Sequence, residues 1–169
     1  TNIGCLVQRY VLLNMMANRL KNSILKYSEK FIRTIKDNKV TTLIISNDRT
    51  FGVEAAAAYA AKELGIKIVV PAFARSATYE HCYKLRTAKV YDEKFTIDKC
   101  NVMYSSKNGN KAFFKPFITK ALTELGLHLE NPWVLGGGFA NFVLLDSELE
   151  KDRIISYGGK ESKYIVTGL

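Results

Sequence analysis

The stretch that most constrains this chain is residues 40–73, "VTTLIISNDRTFGVEAAAAYAAKELGIKIVVPAF". "VTTLIIS" is a β-branched run of strand length, and the polar "NDRTFG" after it reads as a loop. "VEAAAAYAAKELG" predicts a helix, because alanine has the best helix propensity and Gly65 stands where a C-cap glycine would. "IKIVVPAF" is a second buried strand, ending at Pro71. Strand, helix and strand at this spacing form a βαβ unit, whose strands pair in parallel.

The rest of the chain continues the alternation. "GCLVQRYVLL" opens as a short apolar strand. In "RLKNSILKYSEKFIRTIKDN", Leu20, Ile24, Tyr27, Phe31 and Ile35 recur three or four apart, the stripe of an amphipathic helix that stops near Asn38. "TYEHCYKLRT" is read as a helix, "AKVYDE" and "NVMYS" as short strands, and "SKNGN" as a loop. "KAFFKPFITKALTELGLH" carries Phe117, Ile118, Leu122 and Leu125 at helical spacing, with Pro116 near its start. Then come a strand-like "NPWVL", three glycines, and a helix through about Leu149. "DRIISYGG" and "KYIVTGL" read as two last strands. The expected class is α/β, an open, mostly parallel sheet with helices on both faces. The expected organisation is a single compact unit over 1–169, or two small lobes of about 15–100 and 101–169 plus the N-terminal strand.

No apolar run is long enough to span a membrane, and the N-terminus lacks the order of a secretory signal. Cys5, Cys82 and Cys100 are odd in number and widely separated, which argues against a disulfide framework or a zinc site. A reducing, cytoplasmic setting is the expectation. The net charge of +9 is spread over helix faces and fits a soluble basic surface or an anionic ligand. Nucleic acid would suit the charge, but no interleaved aromatic and basic motif supports it.

Two segments could carry chemistry. Gly136, Gly137 and Gly138 let backbone N–H groups converge on an anion without Cβ obstruction, and tight strand packing is the alternative explanation. No GK[ST] follows them, and Asn141 stands where a dinucleotide fingerprint needs its third glycine. Ser46-Asn47-Asp48-Arg49-Thr50 follows a strand, at the edge where open parallel sheets bind ligands. The same residues also suit a turn and a helix cap. Arg19 and Lys21 read as lying at the start of a helix, mildly against its dipole by roughly 0.3–1 kcal/mol each.

In this order the pieces resemble the fold type II pyridoxal-phosphate enzymes, the tryptophan-synthase-beta-like group. It holds threonine dehydratase, cysteine synthase, ACC deaminase and D-cysteine desulfhydrase. "ISND" followed by "AYAAKELGIK", then "VLGGGFAN", then "YIVTGL" carry the resemblance. It implies a pyridoxal phosphate cofactor and, if the protein is active, lyase or deaminase chemistry on a small amino acid. The implied roles are the Schiff base for Lys21 and the phosphate for Gly136, Gly137 and Gly138, with Phe139 beside them in the cofactor site. Asn47 would hold the ring hydroxyl or substrate carboxylate and Thr167 the ring nitrogen, with Ser46 also in the cofactor site. Arg19 occupies the usual lysine position and a guanidinium cannot form an imine, so catalysis would fall to Lys21. The implied partners are an amino acid or phosphorylated ligand and a second subunit in a homodimer. The alternatives are a non-catalytic Rossmann-like nucleotide or phospho-ligand binder of the SLOG type, and a pseudoenzyme that binds a macromolecule.

Overall fold

The computed structural model of this chain describes residues 3–49, 51–72, 103–105 and 111–168. The βαβ unit is formed as its sequence dictates: β1 (Thr42–Ile44), α2 (Val53–Glu63) and β2 (Lys67–Pro71). Gly65 ends α2 at φ +68°, where its amide and that of Ile66 satisfy the carbonyls of Lys62 and Ala61. Ala55 through Ala58, Ala60 and Ala61 are all buried, and their small side chains let the preceding helix pack closely on α2.

That preceding helix, α1 (Ile3–Asp37), replaces the expected N-terminal strand. Its 35 residues span roughly 52 Å at the usual rise per residue. The stripe of Leu20, Ile24 and Ile35 extends back through Ala17 and Leu13 without a change of period, so residues 4–13 continue the helix. The apolar, strand-like character of "CLVQRYVLL" is overridden by that continuity. Arg19 and Lys21 therefore sit mid-helix, far from its dipole ends. Asn38 does mark the stop, its side chain donating to the Thr34 carbonyl at 2.8 Å, and Lys39 turns the chain at φ +51°.

β3 (Met103–Ser105) and β4 (Lys111–Phe113) form an antiparallel pair apart from the main sheet. α3 (Pro116–Glu124) starts at Pro116 as expected. The three glycines lead into a strand, β5 (Phe142–Leu145), and not into a helix. The expected strand at "DRIISYGG" is instead covered by α4 (Glu148–Ser156) and the turn after it. Ser147 caps α4 by accepting from the Glu150 amide, the S-x-x-E signature of a helix start. A single 3-10 turn, Glu161–Lys163, precedes β6 (Tyr164–Val166), the last expected strand. "TYEHCYKLRT", "AKVYDE" and "SKNGN" lie outside the described residues.

The main sheet has four parallel strands in the order β1-β2-β5-β6, an open α/β arrangement. The register pairs Leu43 with Ile68, Val70 with Val143, and Val143 with Tyr164. Residues two apart share a face, so Ile68, Val70, Val143, Leu145 and Tyr164 line one side of the sheet. All four described helices contribute to the cluster on that side, through Ile24, Ala58, Ile118 and Ile154 among others. On the opposite face Ile44 and Ile165 stand outside that cluster and are exposed, while Val69, Phe142 and Leu144 are half-buried. The expectation of helices on both faces thus differs from the described helices, which line one. No described helix is long and apolar enough to cross a membrane.

Candidate functional site

The glycine loop lies within the core. A methyl added to Gly136, which has φ +84°, would stand 2.8 Å from Val143 Cγ2 and 2.9 Å from the Tyr164 ring. At Gly137 it would collide with the Asn131 carbonyl, and at Gly138 with the Asp48 carbonyl. Glycine is required at all three positions because backbone or ring atoms fill the space a side chain needs.

The amides of this loop are engaged within the chain. Gly136 N–H donates to Asp48 Oδ1 at 3.3 Å and Gly138 N–H to Asp48 Oδ2 at 2.9 Å. The Gly137 amide donates to the Val134 carbonyl, and that of Phe139 to the Asp48 carbonyl. Asp48 is fully buried, and Arg49 Nε stands 3.6 Å from its carboxylate. The loop thus is an anion nest, and the anion in it is a side chain of the same protein. On the carbonyl side, Lys163 Nζ donates to the oxygens of Gly136 and Gly138, both at 3.0 Å. The Tyr164 hydroxyl donates to the Leu135 carbonyl at 2.8 Å, and burial, reinforced by the nearby Asp48 charge, holds its pKa far above the usual phenol value.

The other sequence-predicted residues are distributed. Asn47 Oδ1 accepts from the Arg49 amide at 2.9 Å, the turn role, and Ser46 Oγ donates to Glu54 at 3.0 Å. Asp48 thereby ties the Ser46–Asn47 loop to the glycine loop. Thr167 lies past the end of β6 and donates to the Leu145 carbonyl at 3.1 Å. Lys21 lies on α1 and pairs with Glu124 of α3 at 2.6 Å. The hydrogen bond from Lys21 holds the Glu124 carboxyl below the usual range.

Pyridoxal phosphate, as the resemblance implies it, needs free amides at the glycines and an available lysine amine. The amides serve Asp48 and Val134, and the amine serves Glu124, so these residues do not fit the group held in that way. Among the described residues, no group of three His, Cys, Asp or Glu side chains is assembled for a metal ion.

A different concavity opens where β2, β5 and β6 begin. This cleft of about 420 Å³ is lined by Lys62, Lys67, Lys163, His128, Asn141 and Glu130, with Ile66, Leu127, Phe139 and Ala140 as its apolar wall. Of the predicted residues only Gly138 and Phe139 reach it. It lies at the strand N-termini, opposite the edge that open parallel sheets usually use. Lys62 Nζ donates to the Leu125 carbonyl at 3.1 Å and sits over Gly126, whose missing side chain gives it room. Asn141 is held at both ends by Ile68: its amide donates to the Ile68 carbonyl at 2.9 Å, and its Oδ1 accepts from the Ile68 amide at 2.8 Å. That bond fixes the side-chain amide, leaving its NH₂ as a donor. The Lys67 side chain has no hydrogen bond or ion pair among the described residues. Three lysines against the single carboxylate of Glu130 make the cleft cationic.

No single motif in the sequence marks this cleft. Lys62 and Lys67 flank the tight α2–β2 turn in "KELGIK", and cations on both sides of a turn at a strand start were a readable sign. Lys163 and Asn141 join them only through the sheet. The fold and cleft define an open-sheet α/β protein with a cation-lined depression. Comparison with protein-family models, with curated proteins and with solved structures finds no match to this chain.

Proposed function

We propose that this chain is a non-catalytic, Rossmann-like ligand-binding protein that takes a phosphorylated small molecule in the cleft at the start of β2, β5 and β6. The observation that carries the reading is the donor set: Lys62, Lys67, Lys163 and the fixed Asn141 amide around one depression with one carboxylate. A phosphoryl group offers several acceptor oxygens and two negative charges, which such a set matches. The apolar wall at Ile66, Leu127 and Phe139 suits an uncharged body attached to the phosphate. A lyase mechanism is the weaker reading, because Lys21 is paired with Glu124.

Calorimetric titration with AMP, pyrophosphate and pyridoxal phosphate tests the proposal. At least one should bind, with affinity falling steeply as salt is raised. Lys67→Ala should weaken it about tenfold, as one charge at close range is worth about 1–4 kcal/mol between bulk and protein-surface dielectric. Because the Lys67 side chain is exposed and has no partner among the described residues, the variant's thermal midpoint should not move. No binding by any of the three probes, or binding indifferent to Lys67→Ala, refutes the reading. A borohydride-fixed adduct on Lys21 with pyridoxal phosphate would favour the enzyme instead.

A further inference from the structure

The side chains that line the cleft at the start of β2, β5 and β6 divide sharply into donors and acceptors. Lys62, Lys67 and Lys163 can only donate, and the Asn141 oxygen is already taken by the Ile68 amide at 2.8 Å. The acceptors left among the described lining side chains are the Glu130 carboxylate and, while it is neutral, the His128 ring. Glu130 makes no hydrogen bond among the described residues, and its side chain is 57 % exposed. Its Oε2 stands 4.0 Å from Lys163 Nζ, an ammonium that keeps one N–H beyond the two it gives to Gly136 and Gly138. A phosphate drawn to that ammonium brings a second negative charge up to the carboxylate. Left uncompensated, such a juxtaposition costs affinity.

From this division we infer that the ligand is a phosphomonoester of a hydroxylated body, a sugar phosphate or a nucleotide, and that Glu130 selects it by accepting from the hydroxyls. The inference rests on the reading of the cleft as an anion site and adds the residue that decides which anion. A carboxylate has two oxygens with about four lone-pair sites, so neighbouring hydroxyls can donate to both. Each such bond to a charged acceptor offsets the repulsion that Glu130 exerts on the phosphate. On a sugar phosphate the hydroxyls lie within a few bonds of the phosphorus, a reach that matches the short gap between Lys163 and Glu130. An ammonium on the ligand would also satisfy the carboxylate, but it would stand among three lysines. A hydroxyl is neutral and donates without that repulsion. Bare phosphate and pyrophosphate meet the carboxylate with no neutral donor, so Glu130 disfavours them.

Calorimetric titration with AMP, dideoxy-AMP and ribose-5-phosphate, and with pyrophosphate as the anion without hydroxyls, tests the selection. Dideoxy-AMP has the charge and base of AMP without its ribose hydroxyls. The parent should bind AMP about tenfold more tightly than dideoxy-AMP, the low end for hydrogen bonds to a charged group because Glu130 is exposed. In Glu130→Ala that ratio should fall to about two or less, while pyrophosphate binds several-fold more tightly, since a like charge is gone. Glu130→Gln keeps one acceptor oxygen without the charge and should retain part of the ratio. Both variants should melt with the parent, because the side chain stands more than half in solvent. Ribose-5-phosphate as tight as AMP assigns a sugar phosphate, and tighter AMP assigns a nucleotide; both outcomes support the selection. Equal affinities for AMP and dideoxy-AMP in the parent, with pyrophosphate binding dependent on Lys67, leave the cleft in place and overturn the inference. A ratio unchanged in Glu130→Ala overturns it too. No binding by any probe removes the cleft reading and the inference together.

Discussion

Replacing Asp48 with alanine tests the assignment of the glycine loop as a nest for an internal carboxylate. The side chain is fully buried and accepts from two loop amides, at 3.3 and 2.9 Å. Hydrogen bonds to a charged group are worth about 1.5–3 kcal/mol each, and truncation leaves both amides buried without their acceptor. Against that loss, the desolvation of the carboxylate is relieved, which pulls the total toward the low end. The expected destabilisation of Asp48→Ala is about 3 kcal/mol, a large part of the stability of a typical domain. With a urea m-value of about 2 kcal/mol/M, the midpoint should fall by about 1.5 M. Asp48→Asn keeps the shape and one acceptor oxygen but turns an NH₂ toward the second N–H, so about two-thirds of the loss should remain. Equilibrium urea unfolding, followed by circular dichroism and tryptophan fluorescence together, measures both. An alanine variant within 1 kcal/mol of the parent, or an asparagine variant equal to it, would show that the carboxylate merely fills space.

Tyr164→Phe removes the bond to the Leu135 carbonyl and should cost about 1 kcal/mol at neutral pH. The Tyr164 pKa is raised by folding, so its contribution is fully present below the ordinary value of 10.0 and is lost as pH rises above it. Urea midpoints measured from pH 8 to 11 should therefore fall more steeply in the parent than in the phenylalanine variant. For Glu124 the sign is opposite: its pKa is lowered, first by the Lys21 hydrogen bond, so its contribution is present above 4.5 and fades as pH falls below that. About a third of each side chain in that pair is exposed, so Glu124→Gln should cost under about 1 kcal/mol, and the acid limb of its stability curve should flatten. A Lys21→Met/Glu124→Gln cycle measures the coupling.

The sequence was informative where structure is decided within ten residues or so. The β1-α2-β2 unit, the Pro116 start of α3, the Gly65 stop and the "YIV" strand all rest on local chemistry and stand where expected. Residues 4–13 mislead because their apolar run reads locally as a strand, while the deciding signal is the period running back from Ile24 through Ala17 to Leu13. Ile154 and Ile155 resembled a strand, yet Ser147 and Glu150 just before them carry the signature of a helix start. The glycine loop could not be resolved locally. Its partner Asp48 lies 88 and 90 residues away along the chain, and no spacing rule links an aspartate after one strand to glycines before another. The cleft has the same origin, since only two of its lysines are neighbours in sequence.

The two sides of the glycine loop join the buried carboxylate to the open cleft. Gly136 and Gly138 each offer an N–H to Asp48 and a carbonyl to Lys163, so charges of opposite sign are held across one strip of backbone. An ammonium has three N–H donors, and the two carbonyls take two of them. Glu130 Oε2, at 4.0 Å, is too far to take the third by a hydrogen bond. An anion entering the cleft can therefore use that third donor without releasing the loop. It follows that Lys163 belongs to both structures, and a Lys163→Met variant would confuse lost binding with a loosened core. The Lys67 side chain belongs to the cleft alone, and for that reason its substitution separates the proposed ligand site from the fold that supports it.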